Sequence, residues 1–258
     1  MASEAPPFET RKERGDLLRW EDKKHFQRIF TAQAVKSYIF LSFGMGLVAL
    51  ALPVLLVAFG GYAGHYSISS FYYVRDATQN IFVGCLWATG VFLFLFHGLS
   101  RLENWLLNIA GMAAISVAMN PMPAEQCGPG PALTLHAASA ILFFVLLAIV
   151  AVGLSKGRIK YIIHPPKKRR FAAAYNAAGF AMIAMPLIVA GLHFAGGGLC
   201  ESHWIFWIEV AGIWSFAAYW FVKTIEYQLL LRIRWRRTSY RRRSARGARR
   251  GGAVKGSS

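Results

Sequence analysis

Apolar residues fall in six long blocks, at about 38–60, 78–98, 103–120, 133–154, 172–195 and 204–226, divided by short polar connections. Each is close to the roughly 20 residues that carry a helix across a bilayer, where only a helix or closed barrel satisfies its own backbone. The pattern predicts an all-α polytopic membrane protein, with six transmembrane helices in one bundle. The third block, LENWLLNIAGMAAISVAMN, is the shortest. The first block stands behind a long polar segment, exceeds a signal-peptide core and has no small-residue cleavage site, so it reads as an uncleaved span. Pro53 and Pro186 are expected to kink the first and fifth spans. Ala110, Ala114 and Ala118 in the third span and Ala174, Ala177, Ala178 and Ala181 in the fifth give small-xxx-small spacing, which lets helices approach closely.

The basic residues orient the spans. Of 29 Lys and Arg, 28 fall in the N-terminal segment, the 2–3 turn, the 4–5 loop and the end of the sixth span with its tail. Only Arg75 lies in the other three connections. Under the positive-inside rule both termini are cytoplasmic, in a multi-pass cell-membrane protein. Three parts follow: a basic N-terminal segment at 1–36, the six-helix domain at 37–228, and an Arg-rich tail at 229–258 that reads as largely disordered. A short interfacial helix is expected around DLLRWEDKKHFQRIF. The composition changes meaning in this light. A net charge of +17 with 55% apolar and 16% charged residues would suggest nucleic acid in a soluble chain. Here it implies anionic lipid at the tail and no nucleic-acid partner.

Candidate chemistry gathers at the outer ends of the spans. The loop after the first span offers Ser67, Ser69, Ser70, Arg75 and Asp76; His136 opens the fourth span, His193 closes the fifth, and Glu209 lies inside the sixth, below His203. An ionisable side chain at such depth is costly unless it faces the bundle interior and finds a partner. His136, His193 and Arg75 are the expected partners of Glu209. The set predicts a polar pocket that takes a lipid headgroup, built from Ser69, Asp76, His136, His193 and Glu209. A catalytic zinc could use the same His and carboxylates, but no HxxxH, HExxH or CxxC spacing is present. A serine-hydrolase arrangement lacks its nucleophile elbow. Cys127 and Cys200 both fall in outer loops, where a disulfide between them is expected; Cys85 sits within the second span. Lys223 and Glu226 are spaced to pair at the inner end of the sixth span.

A set of ordered landmarks resembles the Frag1/DRAM/Sfk1 group of six-span membrane proteins over residues 36–228. They are Ile68-Ser69, Phe82, Leu107-Asn108, Ala110-Gly111, His136, Glu209 and Lys223-Thr224. The chain departs from that group ahead of the second span, where Arg75-Asp76 and Thr78-Gln79-Asn80 replace a Pro-Glu turn. The resemblance implies lipid biology, with membrane lipids as partners and no defined cofactor. Two alternatives use the same residues or spans: a metal-dependent membrane hydrolase, and a small-solute transporter, which would need polar residues across the bundle.

Overall fold

Six helices carry the chain back and forth in the computed structural model, which describes residues 11–62, 65–98, 100–123, 134–157, 165–194 and 203–254. At 11–26, 28–30, 156, 165, 190, 192–194, 230 and 233–254 it describes the backbone alone. The helices are α1 (Arg11–Gly60), α2 (Asp76–Leu95), α3 (Arg101–Met119), α4 (Leu135–Ile149), α5 (Pro165–Phe194) and α6 (Trp204–Val254). A 3-10 turn at Ser69–Tyr73 precedes α2, and α4 runs on through a π-turn, Val150–Leu154, into a short 3-10 turn, Ser155–Gly157. All six contain a stretch long and apolar enough to cross a membrane. These are the six blocks of the sequence, with ends moved by a few residues.

Two extensions differ from expectation. The interfacial helix expected at 16–30 is the first part of α1, continuous with its apolar span. The Arg-rich tail, expected as irregular chain, continues α6 as helix to Val254. Arg and Ala are both good helix formers, and an existing helix removes the cost of nucleation.

The helices form a closed ring, each packed on its neighbours in sequence, with α6 returning to α1. Tyr38 of α1 stacks on Tyr227 of α6 at 6.1 Å, so the two polar extensions leave from the same end, the base. The opposite end, with the 3-10 turn, is the mouth. Along α1 a buried stripe of Ser42, Met45, Ala49, Leu52 and Leu56 faces inward, while Phe40, Phe43, Leu47, Leu50 and Val54 are exposed. Both stripes are apolar except for Ser42, as expected when the outer face meets lipid rather than water.

Helices α2 and α3 approach closely at a pair of glycines. A Cβ added at Gly90 would lie 2.9 Å from the Gly111 carbonyl oxygen, and one at Gly111 would lie 2.8 Å from the Gly90 oxygen. Only glycines permit this backbone contact, and Ala110, Ala113, Ala114 and Ala118 are buried along the same helix. Elsewhere α1 and α5 continue through Pro53 and Pro186. The central core joins Met45, Leu93, Leu107, Phe143, Leu147, Met182, Phe216 and Trp220 from all six helices.

Candidate functional site

At the mouth the polar residues form two separate groups. The first is on α1, the 3-10 turn and α6. Glu209 is half-buried, and its carboxylate accepts a hydrogen bond from the Ile68 N–H at 2.6 Å. This fastens the loop after α1 to α6, and a carboxylate paired with a backbone donor contributes about 1.5–3 kcal/mol. Ser69, buried, follows Ile68 directly; Ser67 and Ser70 bond to each other's backbone and close the turn. Around the rim, Tyr62 stacks on His203 at 4.5 Å and meets Phe206 edge-on at 5.5 Å. Trp207 donates its indole N–H to the Tyr62 hydroxyl at 2.9 Å. Tyr66, outside the spans, has its hydroxyl pushed up to about 12, first by burial and then by the Glu209 charge.

The second group joins α3 to α4. His136, buried, bonds through Nδ1 to the Asn120 carbonyl at 2.9 Å, and because a carbonyl only accepts, Nδ1 carries the proton. Ser116 and Ser139 share a hydrogen bond at 2.8 Å one layer deeper. The ring of His136 stacks on Phe82 at 6.4 Å. Glu209 and His136 thus each take a backbone partner. Asp76 is exposed in the first turn of α2, where its charge favours the helix dipole. The side chain of His193 lies outside the described residues, as do Cys127 and Cys200. Among the described residues no three of His, Cys, Asp and Glu are gathered as a metal would require.

The base holds a second polar cluster, which pattern reading misses. Lys223 of α6 is fully buried, and its ammonium reaches Glu103 of α3 at 3.0 Å and the Tyr219 hydroxyl at 2.7 Å. Tyr219 shares a hydrogen bond with Ser155 at 2.9 Å, and the π-turn of α4 ends at the residue before this serine. Tyr175 of α5 donates to Glu226 at 2.5 Å, with its ring 5.6 Å from that of Tyr219. The rings of Phe96, Tyr219 and Trp220 lie 5.0–5.3 Å from the Lys223 nitrogen, a cation–π surround. Beyond the Lys223–Glu226 spacing, the structure gives each a long-range partner, Glu103 for the lysine and Tyr175 for the glutamate.

Phe96, Gly98 and Ser100, between α2 and α3, lie against this cluster. Gly98 donates its N–H to Asn104 Oδ1 at 2.5 Å, and Ser100 caps α3 by accepting from the Glu103 N–H at 3.0 Å. Any Cβ at Gly98 would collide with the Glu103 side chain, so the turn can close over the carboxylate only with glycine there. Between base and mouth stands an apolar layer including Leu93, Leu107, Ala110, Phe143, Leu147 and Phe216. Several mid-span hydroxyls, those of Ser42, Thr89 and Ser215, bond back to their own helices instead of linking the two ends. Among the described residues the arrangement therefore offers two polar ends separated by a mainly apolar layer. No family model, curated protein or solved structure matches this chain.

Proposed function

We propose that this integral membrane protein belongs to lipid biology and binds a lipid headgroup at its mouth, with both termini cytoplasmic in the cell membrane. The observation that carries the reading is the acid and the aromatic cluster at the mouth end of α6: Glu209, anchored by Ile68, follows within two turns the His203, Phe206 and Trp207 that gather on Tyr62. A carboxylate accepts several hydrogen bonds, so the Ile68 bond leaves capacity for a headgroup donor. Aromatic faces beside a negative charge suit an ammonium group, which points to ethanolamine or choline headgroups. Exposed cations at the base support the orientation: Lys36, Arg101, Lys167, Arg169, Arg170 and Arg232 lie on four helices, where they suit anionic lipid. The resemblance to the Frag1/DRAM/Sfk1 group points in the same direction.

Mass spectrometry of co-purified lipid tests the proposal. Wild type should be enriched in amine-bearing headgroups over the bulk membrane, and Glu209→Gln and Tyr62→Ala should each lose that enrichment. The same lipid profile in all three proteins would refute headgroup binding at this rim.

A further inference from the structure

We infer that the part of α6 beyond the base is a nucleic-acid-binding arm, which grips a phosphate backbone through its arginines. The inference is independent of the headgroup reading at the mouth. Four observations carry it.

The first is the form of the segment. The apolar span of α6 ends at Leu229, and the same helix runs on to Val254 without a proline. It carries the chain about 38 Å past the end of the span, measured along its axis. Arg241 to Arg250 stand about 18–32 Å along that path, whereas the field of an anionic leaflet decays over about 8 Å at physiological salt. Irregular chain can lie along a leaflet, which is the lipid role that composition implies for the tail. A helix that continues a span leads away from the leaflet instead. Lipid therefore holds the first arginines, Arg232 and Arg234, and leaves the later ones to another partner.

The second is uncompensated charge. Residues 230–254 hold ten arginines, no lysine and no acid. Arg232–Arg236, Arg237–Arg241, Arg242–Arg246 and Arg246–Arg250 stand at i,i+4, where like charges oppose the helix. A polyanion along the segment turns this repulsion into attraction.

The third is where the charges fall. At about 100° per residue, Arg232, Arg236, Arg243 and Arg250 share one side of the helix. Arg234, Arg237 and Arg241 share the opposite side, with Arg242 and Arg249 between them. Ile233 and Tyr240 take one flank and Trp235 the far one, so no apolar stripe forms. A helix lying in the membrane interface needs an apolar face, and one seated in a protein groove needs apolar anchors at i, i+3, i+4 and i+7. This segment suits neither.

The fourth is the kind of cation. A guanidinium fork bonds two phosphate oxygens at once, which the point charge of lysine does not. Trp235 and Tyr240, set among the arginines, add flat rings of the type on which bases stack.

Binding of fluorescent duplexes of about 20 base pairs, RNA in one arm and DNA in the other, tests the inference on the full-length protein. Nanodiscs expose both faces, so the result does not depend on orientation. They are made of phosphatidylcholine alone or with added phosphatidylglycerol. At least one duplex should bind in both kinds of disc, and for DNA log K should fall against log salt with a slope of about −4.5 to −5.5, as for five or six neutralised phosphates. The variant Arg241→Gln/Arg242→Gln/Arg243→Gln/Arg246→Gln lies outside the bundle; it should weaken binding about tenfold or more and make the slope shallower by about 2 or more. Ala245→Pro keeps every charge and breaks the helix, and should weaken binding about threefold. Loss of both duplexes in the phosphatidylglycerol discs assigns the arginines to lipid and overturns the inference. Polyglutamate that binds as tightly as the better duplex assigns them to an acidic protein and also overturns it. Wild-type affinity in either variant overturns the helical arm.

Discussion

Replacing Lys223 with Met keeps nearly the same side-chain length and removes only the ammonium. Glu103 is then left 1% exposed without its cation, and Tyr219 loses a donor at 2.7 Å. Breaking one side of a buried pair costs about 3–5 kcal/mol. The lost bond to Tyr219 adds about 1 kcal/mol. Lys223→Met should therefore destabilise the bundle by about 4–6 kcal/mol. The double Glu103→Leu/Lys223→Met removes both members of the pair and should cost well under the sum of the two singles. The coupling energy from the cycle should then be about 3 kcal/mol or more, outside the range for independent sites. Equilibrium unfolding in mixed micelles, titrated with dodecyl sulfate and followed by tryptophan fluorescence, measures all four corners. A single replacement that costs under about 1 kcal/mol, or a double that costs the sum of the two singles, would refute the reasoning about burial.

Three further outcomes are expected. Gly111→Ala places a Cβ 2.8 Å from the Gly90 oxygen, so α2 and α3 must part; overpacking of about 1–3 kcal/mol should outweigh the roughly 1 kcal/mol gain in helix propensity, whereas Gly84→Ala, with open space around it, should stabilise. The same unfolding assay ranks the two. Tyr66, raised to about 12, ionises later in the fold than in the unfolded chain, so its contribution is intact below pH 10 and is lost as pH rises toward 12. Phenolate absorbance should lose its latest component in Tyr66→Phe, and Glu209→Gln should shift that component to lower pH because the carboxylate charge is gone; an unmoved component would rule out their interaction. Reporter fusions at the two termini should both read cytoplasmic, and an external signal at either would reverse the orientation.

The spans were legible because lipid demands apolar length, which leaves a direct trace in the sequence. The six blocks match the helices even at the short third span, now Arg101–Met119. Glu209 was legible as a buried acid in need of a partner, but its partner was not. Backbone N–H groups occur at every residue except proline, so nothing in composition marks Ile68 as the donor. The base cluster was hidden differently. Glu103 and Lys223 lie 120 residues apart, each close enough to a span end to look like an ordinary surface charge. A trace did exist: Glu103 falls in line with Leu107, Ala110 and Ala114, and Lys223 with Phe216, Tyr219 and Trp220, the buried stripes of their helices. Reading each charge on its helix face, and not only by its distance from a span end, would have placed both inside.

The closed ring has a consequence for how the molecule is made. The N-terminal helices emerge first during synthesis, and α6, which seals the ring between α5 and α1, comes last. Until it arrives, α1 to α5 form an open horseshoe in which Glu103 has neither Lys223 nor the aromatic walls that α6 supplies. The sixth helix therefore brings both the seal of the ring and the cation that Glu103 pairs with, so the acid at the base is matched only when the ring closes.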